Sequence, residues 1–214
     1  GGAVIYQKPG PLKAQQILII PKGAGTSRIA SILAKSGVIS SSHLFLLNYY
    51  IHGVRKSLRA GEYAFDAHIS IQMVLEKLSQ GQVLRHRLTI PEGLSSFDIM
   101  TLVNSNEFLG GAPISDLDEG TCLPETYTFE RDYDRQKLLQ DMQGGLRVYL
   151  DSLKTAKPLP LPEDQLMTLA SLIEKETALD SERPLIAGVY YNRLAKGMLL
   201  QCDPTVIYAL YLRD

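Results

Sequence analysis

The chain has 214 residues, which is enough for one large domain or two small ones. Apolar residues make up 45% of it and the formal net charge is -1, so neither a basic field for nucleic acid nor an acidic tract for disorder is present. No run of about 18 apolar residues predicts a membrane span. No signal peptide is visible, although the Gly1–Ala3 start is compatible with an anchor or signal ahead of it.

The first part of the chain predicts a strand, two helices and a second strand joined by short turns. The strands are Gln15–Ile20, a β-branched run closed by Pro21, and Gly61–Phe65, which alternates as a half-buried strand does. Helices are predicted from Thr26 or Ser27 to Lys35, from Ser42 to Ile51 and from Ser70 to Leu78. The order is similar to that of LysM modules, which bind N-acetylglucosamine polymers, and predicts a small LysM-like module over residues 12–82. A structural α+β module without a ligand fits the same pattern and is favoured by it.

Residues 83–214 predict a second domain of mixed α/β type, so the fold class of the whole chain is α+β. Its expected elements are a strand (83–90), a helix (about 95–104), a loop (110–120), an extended segment (123–129), a helix (134–153), a proline-rich connector (157–162), the helix that carries Glu176, a helix (about 181–194) and a final helical turn (203–210). No internal repeat is visible.

The segment Leu169–Thr177 contains the sharpest candidate for chemistry, Glu176. At ~100° per residue around a helix, Glu176 falls on the apolar side, between Leu169 and Leu172. Burial among apolar neighbours disfavours the ionised form, so the pKa of Glu176 is expected to be raised. A carboxylic acid that keeps its proton near neutral pH is what the cleavage of a glycosidic bond needs. The equally favoured alternative is a structural ion pair with Arg183 or Arg193.

Two other segments offer groups that bind sugars. In Pro124–Tyr127, Tyr127 is suited to stack on a sugar ring and Glu125 to accept hydrogen bonds from its hydroxyls, but an ordinary turn with a core tyrosine is the plainer interpretation. Gln201 and Asp203 are expected to face one cleft, although Asp203 also suits the cap of the following helix.

The remaining polar groups indicate no cofactor. Arg85 and Arg87 could bind an anion, but alternation places His86 on the opposite strand face, so a solvated face is favoured. The cysteines and histidines have no metal-ligand spacing, and no phosphate-loop, dinucleotide or nucleophile-elbow motif is present. Whether Cys122 and Cys202 pair is not fixed by the sequence.

The motifs taken together resemble those of the endolytic murein transglycosylases, the MltG or YceG-like family. The resemblance covers roughly residues 17–210. It is carried by eight segments: Ile20–Gly23, Ala60–Phe65, Pro91–Gly93, Leu123–Tyr127, Ser171–Thr177, Ser181–Arg183, Val189–Leu194 and Gly197–Tyr208.

This resemblance implies a bacterial lyase that cleaves within nascent glycan strands, between N-acetylmuramic acid and N-acetylglucosamine. It implies that Glu176 is catalytic, that no cofactor is needed, and that a single-pass anchor ahead of this chain holds it to the inner membrane with the domain in the periplasm or outer wall space. Wall-synthesis proteins are implied as possible partners. The implied substrate-binding residues are Glu125, Tyr127, Glu174, Asn192, Arg193, Gln201 and Asp203.

The chain departs from the family pattern at two points. Cys202 stands where Thr or Ser is more usual, and the family continues beyond Asp214, so the catalytic domain over 83–214 is expected to be truncated.

Two competing functions follow from the same residues. A scaffold would hold glycan without cleaving it, and a lysozyme-like hydrolase would need a second acid, Glu125 or Asp203, near Glu176.

Overall fold

The computed structural model describes residues 6–51, 57–156 and 160–211, which form two compact units. The first unit comprises residues 1–87 and 128–132, and the second comprises residues 88–127 and 133–214. Eight helices and six short strands lie within the described ranges, which confirms the α+β class. None of the helices there is long and apolar enough to cross a membrane. The predicted domain limits, 12–82 and 83–214, stay predictions.

The first unit is built on an antiparallel pair of strands. β1 (Gln16–Ile20) pairs with β2 (Gly61–Phe65) in a register that sets Gln16 opposite Phe65. The strands are joined through α1 (Thr26–Lys35) and α2 (Ser42–Ile51), and α3 (Ile71–Gln80) follows β2. The predicted order of strand, helix, helix and strand is therefore confirmed. Its likeness to LysM stays a prediction.

The helices of this unit bury their apolar faces against the inner face of β2. Tyr63 and Phe65 are fully buried and stacked, with ring centroids 6.0 Å apart. They share a core with residues from all three helices, including Ile29, Leu33, Phe45, Val74, Leu75 and Leu78. The Ser70 side chain caps α3 by accepting a hydrogen bond from Met73 N–H, and Gly81 ends it in the left-handed conformation.

A buried carboxylate connects three segments of the first unit. Glu62, on β2, is 5% exposed and contacts His86 Nε2 at 2.5 Å and Arg131 Nε at 3.0 Å. His86 lies on β3 (Arg85–Thr89), whose outer residues Arg85 and Arg87 are exposed, as the alternation predicted. Burial alone would raise the pKa of Glu62, but the hydrogen bonds and charges of His86 and Arg131 outweigh it and lower that pKa.

The second unit contains the rest of the chain. Its elements are α4 (Ser96–Ser105), β4 (Leu109–Gly110), β6 (Tyr133–Asp134), α5 (Arg135–Ala156), α6 (Glu163–Glu176), α7 (Arg183–Ala195) and α8 (Asp203–Tyr211). β4 pairs with β6 in parallel, and β5 (Thr126–Glu130) pairs with β3. The Gly144-Gly145 pair lies within a continuous α5. Of the predicted proline-rich connector, residues 157–159 lie outside the described residues.

Helices α6, α7 and α8 position the candidate site. α6 packs against both α7 and α8, around a small buried cluster of Leu169, Tyr190 and Cys202. Leu172, Ile173 and Ile186 are half-buried against this cluster. The apolar stripe predicted for α6 therefore does face the neighbouring helices.

Candidate active site

Glu176 is the last residue of α6, and its side chain is exposed. The prediction that apolar neighbours enclose it is wrong. Leu169 is buried and Leu172 and Ile173 are half-buried on the same helix, but the chain turns into an extended conformation at Thr177. Because the helix stops at Glu176, the neighbouring helices cover the stripe without covering its last member.

The nearby arginines do not neutralise Glu176. Arg183 Nη2 lies 2.9 Å from Glu174 Oε2, and its Nη1 lies 3.2 Å from Asp180 Oδ1. Arg193 donates through Nη1 to the carbonyl oxygen of Leu200. The alternative interpretation of Glu176 as an ion-pair partner of Arg183 or Arg193 is therefore wrong.

Glu174 is half-buried, and it is the carboxylate of the Glu-Lys-Glu motif that carries the ion pair. The turn at Pro91–Gly93 lies against it. A Cβ on Gly93, whose φ is +73°, would lie 3.2 Å from Glu174 Cγ, and Glu92 Oε2 lies 3.9 Å from Arg183 Nη2. These contacts explain why glycine suits this position and show that the turn and α6 are neighbours.

Tyr190, on α7, lies in the buried cluster between α6 and α7. Its ring is 5% exposed within the cluster that includes Leu169 and Cys202. Burial, and then the neighbouring Cys202 and Glu176, raise the pKa of Tyr190 to about 12. No sequence pattern assigned a role to Tyr190, although the Val189–Leu194 motif contains it.

Further residues predicted to bind the substrate lie on α7 and in the segment that joins it to α8. Gln201 and Asp203 are exposed on either side of buried Cys202, which packs in the same cluster as Tyr190. Gln201 has a φ of +52°, a conformation that non-glycine residues rarely adopt. Asn192 is exposed on α7, where its backbone carbonyl accepts a hydrogen bond from Lys196 N–H.

Tyr127 and Glu125, the other two residues predicted to bind sugar, form hydrogen bonds within their own segment of the chain. Tyr127 is half-buried and its hydroxyl donates to the Leu123 carbonyl at 2.6 Å, while burial first of all raises its pKa to about 12. Glu125 is exposed, and its carboxylate accepts a hydrogen bond from Thr126 N–H at 2.9 Å. Both hydrogen bonds thus join residues within 123–127. Their placement in one groove with Glu176 stays a prediction.

Two depressions stand out in the described chain, and neither is lined by Glu176. One, of about 60 Å³, lies between residues 8–11 and 38–40 in the first unit. The other, of about 400 Å³, lies in the second unit and is lined by Phe97, Met100, Thr101, Asn104, Ser105, Ile114 and Ser115. Both cysteines are free and buried, so Cys122 and Cys202 do not pair in this structure.

Proteins with a similar sequence share the name endolytic murein transglycosylase. An endolytic murein transglycosylase of Bacillus subtilis is 29% identical over 249 residues, covering 98% of this chain and 69% of that protein. An endolytic murein transglycosylase of Streptococcus pneumoniae is 28% identical over 233 residues, and this chain spans only 42% of its length.

A solved structure is also similar. A yceG-like protein of Listeria monocytogenes shares 28% sequence identity at a TM-score of 0.47, over 92% of this chain and 75% of that one. The profile of the YceG-like family matches residues 18–213, which is nearly the whole sequence. The chain therefore belongs to the YceG-like family, as its motifs predicted.

Proposed function

We propose that this chain is an endolytic murein transglycosylase in which Glu176 is the catalytic acid and base. It cleaves the bond between N-acetylmuramic acid and N-acetylglucosamine within a glycan strand and leaves a 1,6-anhydro end. Membership of the YceG-like family and the shared name of the relatives support the reaction. The choice of residue rests on the geometry around α6.

The observation that carries the assignment is the different surroundings of the two glutamates in the Glu-Lys-Glu motif. Arg183 holds Glu174 in an ion pair at 2.9 Å, so that carboxylate is occupied by a partner within the protein. Glu176 has no ion pair among the described residues and is exposed, so a polymer can reach it. Of the two, Glu176 is thus the one free to exchange a proton with a substrate.

The reaction needs one carboxyl group if the sugar supplies its own nucleophile. Protonated Glu176 donates its proton to the glycosidic oxygen as the bond to C1 of the muramic acid breaks, and the N-acetylglucosamine leaves with that proton as a hydroxyl. The Glu176 carboxylate then takes the proton of the 6-hydroxyl while that oxygen bonds to C1. General acid–base catalysis of this kind is worth ~10² to 10⁴ in rate.

Because Glu176 is exposed, the bound substrate itself must form part of the enclosed active site. In the free protein, water reaches the carboxyl group, so the bound strand must exclude that water from the reacting groups. Three exposed side chains would hold the glycan strand: Asn192 on α7, Gln201 just before α8, and Asp203 at the start of α8. Glu125, Tyr127, Glu174 and Arg193 complete the proposed binding set, Glu174 acting through its ion pair.

The proposed substrate places the domain outside the cytoplasm, in the periplasm or outer wall space. A single-pass anchor in the inner membrane and contacts with wall-synthesis proteins belong to the same proposal. The family resemblance supports them.

The proposal is tested with purified peptidoglycan and a matched pair of variants, Glu176→Gln and Glu174→Gln. The expected result is release of anhydro-muropeptides by the wild type, detected by mass, and their loss in Glu176→Gln with folding unchanged. Glu174→Gln should retain measurable product, because it alters a residue that supports the site. Wild-type protein that binds glycan but releases no product would instead support the scaffold function.

A further inference from the structure

The depression of about 400 Å³ in the second unit has a lining that hydrogen bonds hold in place. Asn104, on α4, donates through Nδ2 to the carbonyl oxygen of Ile114 and accepts the Ile114 N–H through Oδ1, both at 2.8 Å. These two bonds join the helix to the segment that completes the lining. Ligand sites in proteins usually enclose about 300–1,000 Å³, so this depression is large enough for a sugar residue.

The lining suits a neutral ligand that has both apolar and hydroxyl groups. Phe97, Met100 and Ile114 supply apolar surface, and none of the seven lining residues carries a charge. Thr101 Oγ1 donates to the Phe97 carbonyl oxygen at 2.9 Å, and Ser105 Oγ donates to another carbonyl oxygen of α4 at 3.2 Å. Because each hydroxyl proton is used within the helix, both oxygens keep lone pairs that can accept hydrogen bonds from sugar hydroxyls.

Two exposed tyrosines of α8 continue the surface from Phe97. Phe97 is 61% exposed, and its ring meets that of Tyr211 edge-on, with the centroids 6.4 Å apart. Tyr211 lies nearly parallel to Tyr208, at 6.3 Å and 22°. The Tyr208 hydroxyl donates to Glu119 Oε1 at 3.1 Å, and the hydroxyl oxygens of Tyr211 and Ser95 are 3.3 Å apart. Polar contacts therefore hold these rings in place, while a group of exposed aromatic residues is typical of a binding surface.

We propose that the depression, with the aromatic rim formed by Phe97, Tyr208 and Tyr211, binds an N-acetylglucosamine residue of the glycan strand away from the bond that is cleaved. The inference rests on the proposed function, because it takes the substrate to be a glycan. The rings stack on the C–H faces of the sugar, and the lining oxygens accept from its hydroxyls. N-acetylmuramic acid is disfavoured, since its lactyl carboxylate would meet no cation in the lining and the carboxylate of Glu119 at the rim.

Helix α8 connects the aromatic rim with a residue proposed to hold the strand. Asp203 begins this helix and Tyr211 ends it. At a rise of about 1.5 Å per residue, Tyr211 lies roughly 12 Å along α8 from Asp203. A glycan strand is a polymer, so one strand can contact both ends of the helix at once. Occupation of the rim therefore requires a substrate with several sugar residues.

Binding is tested without turnover by titrating the wild-type protein with the tetramer of N-acetylglucosamine. This oligomer contains no N-acetylmuramic acid and therefore no bond that the proposed reaction cleaves. The protein is labelled with a heavy carbon isotope at its methionine methyl groups and followed by NMR. Met100 lines the depression and Met142 is fully buried on α5, so the Met100 signal should shift and saturate while the Met142 signal stays fixed. Met100→Leu assigns the signal.

Phe97→Ala measures the contribution of the rim, with Tyr149→Ala as its matched control. Both changes remove an exposed ring from a helix of the second unit, and Tyr149, on α5, is 52% exposed and outside the rim. Phe97→Ala should weaken binding of the tetramer by about 3- to 10-fold, the worth of one aromatic contact. On peptidoglycan it should raise KM several-fold and leave kcat within about twofold, because the rim holds ground state and transition state alike. Tyr149→Ala should match the wild type in all three.

The outcomes separate this subsite from the function beneath it. A Met100 signal that stays fixed up to the solubility limit of the tetramer, or wild-type affinity in Phe97→Ala, overturns the subsite and leaves the assignment of Glu176 intact. Saturable binding at Met100 by a protein that releases no anhydro-muropeptides overturns the proposed function and supports the site as a glycan-binding surface. A Met100 signal that shifts with protein concentration in the absence of sugar would place a second copy of the chain there and would also overturn the subsite.

Discussion

Arg183 reaches past the end of α6 to Glu174 and leaves Glu176, two residues further on, outside its ion pair. The distance between Arg183 Nη2 and Glu174 Oε2 is 2.9 Å, and both side chains are about two-thirds buried, at 32% and 27% exposure. Glu174 thereby becomes part of the framework that joins α6 to the start of α7.

The ion pair predicts that two substitutions affect stability to different extents. Arg183→Gln leaves Glu174 half-buried without its cation and should lower the free energy of unfolding by about 1–2 kcal/mol. Glu176→Gln alters an exposed side chain and should change it by less than about 0.5 kcal/mol. Urea unfolding followed by circular dichroism measures both. Equal destabilisation by the two substitutions would contradict the assignment of the ion pair to Glu174.

Acid should destabilise the first unit through Glu62. The pKa of Glu62 is lowered in the folded protein, because contacts with His86 and Arg131 outweigh burial. The stabilisation is therefore present above the ordinary pKa of glutamate and is lost as the pH falls through the lowered folded value. Glu62→Gln should reduce the stability near neutral pH and flatten its decline in acid, as measured by urea unfolding between pH values of about 3 and 7.

Asp66 provides the matched control for Glu62. Its pKa is also lowered, by hydrogen bonds from Gln15 and Lys77, but it lies on the surface. Solvent screens such exposed pairs, so Asp66→Asn should change the acid dependence much less than Glu62→Gln. If the two variants had the same acid profile, burial of the Glu62 cluster would not be the source of the effect.

Gln201 offers a way to separate binding from stability. Its φ of +52° costs energy for a residue with a Cβ and none for glycine. Gln201→Gly should therefore leave the Tm unchanged or raise it, while loss of the side chain weakens the hold on the strand and raises KM several-fold. Steady-state kinetics and thermal unfolding of this one variant test both statements. An unchanged KM would remove Gln201 from the binding set.

The two thiols should be present, unpaired and slow to react. Cys122 and Cys202 are 8% and 5% exposed, and burial raises the pKa of Cys122. Labelling with a thiol reagent should be slow in native protein and should reach two thiols per chain, without reductant, once the protein is unfolded. A count of zero in unfolded, unreduced protein would mean that a disulfide forms.

Local patterns in the sequence were sufficient to predict most elements. Alternation identified β2 and the outward arginines of β3, and apolar periodicity identified α6 and its buried stripe. These signals are local because strands and helices present their side chains at fixed periods. The helix predicted over residues 134–153 is present as α5, and buried leucines lie on both sides of its pair of glycines.

The surroundings of Glu176 could not be read from its position on a helical wheel. The wheel gives the direction of a side chain, but exposure depends on where the neighbouring helices end. For the same reason, the pairing of Arg183 with Glu174 and the place of Tyr190 beside Leu169 both depend on the packing of α6 against α7. Tyr190 carried one usable signal, a tyrosine among motif residues on a predicted helix.

The central claim is that Glu176 serves a reaction whose nucleophile is the 6-hydroxyl of the substrate. The direct test is digestion of peptidoglycan in water enriched in the heavy isotope of oxygen, followed by mass analysis of the new glycan ends. We predict anhydro ends without heavy oxygen for the wild type, and none from Glu176→Gln. Reducing ends that carry the heavy isotope would show that water attacks C1, and would contradict the mechanism.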